Sequence, residues 1–180
     1  MRLVNRLAVL TITAALLPAW LLAVDAPLVP RISGAWWTVA SDPDLGPLTN
    51  PKQQPVDFGI WQATDGTWQL WSCIRGTKEP GNSRLFYRWE GARLTDRDSA
   101  LKGIALQADP ALGETRGGLQ APFVLRHEGS FWMFYGDWTT ICLATSTDGK
   151  TFTRRRNAEG KPQLDFASPV IPLLVCDCIL

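Results

Sequence analysis

The sequence predicts an all-β fold, a partial β-propeller of four-stranded blades behind an N-terminal signal helix. Three observations carry that reading. Nine of the 180 residues are Trp and seven are Phe, while 15 Gly and 13 Pro supply turn positions, a balance that favours sheet. Two stretches repeat one pattern: Asp57-Phe-Gly-Ile-Trp-Gln-Ala-Thr-Asp-Gly-Thr-Trp-Gln-Leu-Trp-Ser72 and Ala121-Pro-Phe-Val-Leu-Arg-His-Glu-Gly-Ser-Phe-Trp-Met-Phe-Tyr-Gly136. In each, a short apolar run meets an acidic-Gly pair (Asp65-Gly66, Glu128-Gly129) and a second aromatic run follows, which is a hairpin signal.

Taken in chain order, residues 1–23 read as a signal peptide. Arg2 and Arg6 form a basic start, Leu7 to Leu22 an apolar stretch, and Ala23 a small residue near a cleavage point. The length of that stretch and Leu21 leave an uncleaved membrane anchor as the alternative. Either form exports the body of the protein, to a secreted or periplasmic location. No later run approaches the roughly 18 apolar residues of a membrane span.

Residues 24–53 form a Pro-rich lead-in to the sheets. The propeller domain is expected over 54–167, with a first blade at about 54–108 and a second at about 109–167. Within it a second hairpin recurs, Leu85 to Thr95 against Cys142 to Thr153, and Ser41-Asp-Pro-Asp-Leu-Gly46 recurs as Ala108-Asp-Pro-Ala-Leu-Gly113. The offsets are 63 residues for the first hairpin, 58 for the second and 67 for the approach. A period of about 60 residues containing two hairpins is one propeller blade. A β-sandwich is the alternative, but it has no reason to repeat loop and hairpins in one order. The tail, residues 168–180, is charge-poor and reads as atypical of a blade.

The charges nearly cancel, 18 Lys+Arg against 17 Asp+Glu, so no electrostatic footprint favours nucleic acid. Among the four cysteines, Cys73 and Cys142 fall in strand-like runs and read as buried thiols, while Cys176 and Cys178 crowd the tail. With His127 the only histidine and no paired CxxC, no metal site is expected.

Strand alternation sorts the carboxylates between two faces. Asp65, Glu90, Glu128 and Asp148 belong to hairpin turns on a far face, where Asp before Gly is turn chemistry. Asp57, Glu79, Asp109, Glu114 and Asp137 fall on the near face, the one set able to converge on a central channel. Asp57 is the most pointed, since it stands among Val56, Phe58 and Ile60 on an innermost strand; an Asx-type turn is its alternative reading. Asp137 and Glu114 are the candidates for a second carboxylate. Trp61, Trp138, Arg75, Arg116 and Gln120 are candidates for ligand contact, with core packing the alternative for the two tryptophans.

Ala121-Pro122, Gly129-Ser-Phe-Trp-Met-Phe-Tyr135 and Cys142-Leu-Ala-Thr-Ser-Thr-Asp-Gly-Lys-Thr-Phe152, together with Asp57, resemble the blade motifs of the five-bladed β-propeller glycoside hydrolases. That is the superfamily of glycoside hydrolase family 43, and the resemblance covers about residues 54–155. It implies hydrolysis of O-glycosidic bonds in a poly- or oligosaccharide by two carboxylates, with no metal or organic cofactor. It also implies that Asp57 is the general base. The carboxylate that tunes the acid falls at Phe123, which cannot perform that role, and the general acid belongs to a third blade. Against five expected blades the chain supplies about two to three, so an incomplete copy is expected. The alternative is a non-catalytic carbohydrate-binding propeller or inactive fragment.

Overall fold

In the first repeat, alternation places Trp61, Trp71 and Cys73 on one side of a hairpin and Leu70 and Ile74 on the other, so both faces of the sheet are apolar. Such a sheet has to be covered on both faces. In the computed structural model, Val29 and residues 31–164 are described; the predicted signal (1–23) and tail (168–180) lie outside the described residues. The chain divides into Met1–Ala35 and Trp36–Leu180, and all the strands belong to the second unit. Among the described residues no helix is long and apolar enough to cross a membrane.

Among the described residues, eight antiparallel strands form two sheets, each in the order of the chain: β1 (Gln54–Gln62), β2 (Trp68–Arg75), β3 (Leu85–Gly91) and β4 (Ala100–Leu106), then β5 (Gln120–His127), β6 (Ser130–Gly136), β7 (Ile141–Ser146) and β8 (Thr153–Arg154). The two copies of the repeat thus open separate four-stranded meanders, with β1 against β5, as in neighbouring blades of a partial propeller.

The seam between the blades is the main core. Trp61, Trp71, Cys73 and Phe86 of the first blade pack against Phe131, Met133, Tyr135, Cys142 and Ala144 of the second. Trp61, Trp71 and Phe152 meet with centroids 5.3–5.8 Å apart, Phe152 edge to face with both tryptophans and the tryptophans tilted at 56°, and each buried aromatic contributes about 2–3 kcal/mol of transfer free energy. Cys73 and Cys142 are buried free thiols, and burial pushes each up to about 12. The opposite face of the first blade, carrying Ile74, Leu85, Tyr87 and Trp89, is covered by the lead-in segment through Ala40, Leu45 and Leu48. That segment is tied down by Ser99 N–H to the Val39 carbonyl (2.8 Å) and by Trp89 Nε1 to the Ser41 carbonyl (3.1 Å).

Both inner strands carry a β-bulge at the same place. The register shifts between Val56 and Phe58 in β1, with Asp57 at φ 32°, and between Gln120 and Phe123 in β5, with Ala121 at φ 51°. Asp57 therefore corresponds to Ala121. Just beyond the bulges the strands nearly touch: a Cβ on Gly59 would stand 2.7 Å from the Pro122 carbonyl oxygen.

On the far face a charged clamp closes the seam. Lys150 Nζ of the second blade reaches Asp65 (2.5 Å) and Glu90 (2.7 Å) of the first, and Trp61 Nε1 donates to the Gly149 carbonyl at 2.7 Å. Hydrogen bonding to Lys150 holds Asp65 and Glu90 down to about 2.

Two outcomes follow. Gly59→Val destabilises the chain by about 1–3 kcal/mol, read by urea unfolding, because the added carbons meet backbone across the seam. Carboxylates with depressed pKa values add stability that is complete above their unfolded values of about 4 and is lost as pH falls towards 2. The melting temperature accordingly drops between pH 4.5 and 2, and in Lys150→Gln that drop is shallower.

Candidate functional site

The near face is formed by the start of β1, the loop between β2 and β3, the loop joining the blades, and the turn after β6. Two of these loops are stitched together by backbone. Asn82 N–H donates to the Arg116 carbonyl and Arg84 N–H to the Gly117 carbonyl, both at 3.0 Å. Gly81 (φ 87°) and Gly117 (φ 60°) allow this approach, since a Cβ on either would run into the opposite loop's carbonyl.

Of the five near-face carboxylates, four are committed to structure. Glu114 is buried, and its oxygens take the Tyr135 hydroxyl (2.6 Å), Arg154 Nε (2.8 Å) and Nη2 (2.7 Å), and the Asp109 amide (2.7 Å). Burial, then this carboxylate, push the Tyr135 phenol far above its ordinary range. A bidentate, fully bonded carboxylate has no capacity left for a substrate, so Glu114 is a strut between loop and strands and not the second carboxylate expected.

Asp137 is likewise buried. Its Oδ1 accepts from Thr140 N (2.8 Å), Thr140 Oγ1 (2.6 Å) and Thr139 N (3.3 Å). Burial alone raises its pKa, but the Thr140 hydroxyl and the two amides outweigh it and hold the group below the carboxylate range. An acid that donates a proton near neutrality needs the opposite shift, so Asp137 organises the turn and does not serve as the second carboxylate. Asp109 caps a short 3-10 turn through the Ala111 amide (3.0 Å), and Glu79 accepts from Gln107 (2.7 Å).

Asp57 is the exception. It is exposed, and among the described residues its carboxylate makes no hydrogen bond or ion pair. The bulge does not require it, since Ala121 occupies the matching position with positive φ and no carboxylate. A strained, unpartnered acid at a position where alanine suffices lacks a structural explanation.

Trp61 is buried in the seam and bonded to Gly149, so it is a packing residue and not a sugar platform. Trp138 is half exposed, and its φ of 89° is unusual for a bulky side chain. The turn that Asp137 organises holds it out where the Arg84 guanidinium stacks 4.4 Å from its ring centroid. Arg84 Nη1 also donates to Gln120 Oε1 at 2.8 Å. Arg75 donates through Nε and Nη2 to Gln54 Oε1 (3.1 and 2.7 Å), and the Arg116 side chain is exposed. The structure therefore brings Gln120 and Trp138 together through Arg84, a residue the sequence reading passed over. Its signal was the hairpin around residues 75–84, which sets Arg84 beside Arg75.

A solved structure, the crystal structure of a thermostable family-43 glycoside hydrolase, is similar to this chain at 21% identity and TM-score 0.40. The match covers 67% of this chain and 38% of that one, so the chain spans well under half of that enzyme's length. No protein-family model matches the chain, and no curated protein matches it.

Replacing Glu114 by Ala leaves Arg154 charged, largely buried and unpaired. The expected cost is about 3–5 kcal/mol, measured by chemical denaturation, with little left of the folded state if the chain is marginally stable.

Proposed function

We propose that the near face is a saccharide site of the glycoside hydrolase type, acting on O-glycosidic bonds of a poly- or oligosaccharide, in which Asp57 is the general base. One observation carries this reading: Asp57 is the near-face carboxylate that structure neither uses nor needs. The blade motifs resembling family 43 add the substrate class, and the basic and apolar leader supports export. Trp138 offers a flat ring edge and face to a sugar, and Gln120 supplies amide polarity beside it.

In the reaction Asp57 takes a proton from water, the water oxygen bonds to the anomeric carbon, and the glycosidic C–O bond breaks. A second carboxyl group protonates the leaving oxygen, and for inversion it stands about 6.5–9.5 Å from the base. Among the described residues the other near-face carboxylates are engaged, so this acid is to be sought outside them. The same observation favours a second reading, carbohydrate binding without turnover.

Reducing-sugar release from oligosaccharides by the purified chain separates the two. Under the first reading the chain releases sugar, and Asp57→Asn lowers the rate at least about a hundredfold. Its melting temperature stays unchanged, because alanine already fits the equivalent bulge. Binding with no release by either protein establishes the second reading, and release that survives Asp57→Asn overturns the first.

A further inference from the structure

The near end of the first blade carries an arrangement that folding alone does not favour. The antiparallel register that pairs Cys73 with Phe86 and Ile74 with Leu85 continues one step to set Arg75 opposite Arg84. Alternation puts both side chains on the face that carries Cys73 and Phe86, and Arg84 reaches Gln120 of the second blade. Two like charges directly opposed on neighbouring strands destabilise a sheet. Among the described residues neither arginine has a carboxylate within ion-pair distance.

Neutral partners hold both arginines in place. Arg75 is clamped by Gln54 Oε1, which β1 places opposite it, and Arg84 by Gln120 Oε1 and the Trp138 ring. These contacts fix the guanidinium planes without neutralising them and leave Arg75 Nη1 and Arg84 Nη2 and Nε free to donate among the described residues. Arg84, Asp57 and Arg75 all lie near enough to the Cys73 thiol for their charges to act on it. Two pre-oriented forks with unused donors match the geometry of a carboxylate or sulfate group.

We propose that Arg75 and Arg84 form an anion-binding fork that selects a sugar bearing a carboxylate or sulfate group. The saccharide part rests on the function proposed above; the anion part rests on the arginines alone. Asp57 repels an anionic substituent, so that group sits over the ends of β2 and β3 and the neutral part of the sugar ring faces Asp57. Trp138, stacked on Arg84, reports occupancy of the fork.

The test is a titration of the full chain, followed by tryptophan fluorescence and calorimetry, with four probes: an oligogalacturonate, a sulfated galactan oligosaccharide, a neutral xylo-oligosaccharide and inorganic sulfate. At least one acidic oligosaccharide is expected to bind about tenfold or more tightly than the neutral one, more weakly as salt is added. Which acidic probe binds tells carboxylate from sulfate. Arg75→Gln lowers that affinity about tenfold and leaves the neutral probe unaffected; Arg84→Gln, which also releases Gln120 and Trp138, lowers the acidic affinity at least as much; and their melting temperatures match or exceed that of the parent chain. Equal affinity for acidic and neutral sugars overturns the proposal, as does a preference that survives both substitutions. So does a fall in melting temperature with loss of all binding, which would make the arginines structural. Binding of inorganic sulfate through the two arginines with no oligosaccharide bound retains the fork and overturns the saccharide reading.

Discussion

The close approach of the two inner strands, Gly59 against the Pro122 carbonyl, is the constraint on which the rest of this structure depends. An inner strand with a side chain at that position would hold the second blade away, and the Trp61, Trp71 and Phe152 contacts behind it would open. The bulges belong to the same geometry. By adding one residue on the near side of the contact, each lets its strand bend and increases its twist. That extra residue is Asp57 in one blade and Ala121 in the other, so the device that shapes the seam also presents a side chain at its mouth.

The two ends of the seam use charge in opposite ways. At the far end, Lys150 bridges Asp65 and Glu90, so each of these three charges has a partner. Deeper in the second blade, Glu114 and Arg154 neutralise each other out of water. At the near end Asp57, Arg75 and Arg84 share a small region with no ion pair among them. Because desolvation of an unpaired charge is costly, such groups persist at the surface, where water solvates them until something else replaces it. The contrast within one small seam is what supports the ligand site proposed at the near end.

Much of the fold was legible because propeller blades repeat. A hairpin with an acidic-Gly turn, found twice at an offset of 63 residues, gave β1 with β2 and β5 with β6. Less was legible where a residue's partner lies far along the chain. Trp61 was open both to sugar contact and to core packing, and its partners, Gly149 and Phe152, become neighbours only when the blades dock. The lead-in segment read as a connector, yet Leu45 and Leu48 pack over Ile74, Leu85, Tyr87 and Trp89 of the first blade, which its prolines conceal because they suppress any periodic pattern.

The carboxylates show why residue type at the right place is not yet chemistry. Topology put Glu114, Asp137 and Asp57 on one face, but catalysis depends on what each oxygen already accepts. Glu114 and Asp137 spend their lone pairs on Arg154, Tyr135, Asp109 and Thr140, contacts that sequence spacing does not reveal because loop conformation creates them. Asp57 stays free for a reason that can be read in the repeat: its counterpart is an alanine, so the blade has no use for an acid there. Within an internal repeat, a polar residue standing where its counterpart is inert has been relieved of structural duty. The comparison of Asp57 with Ala121 therefore carries more weight than the acidity of Asp57 itself.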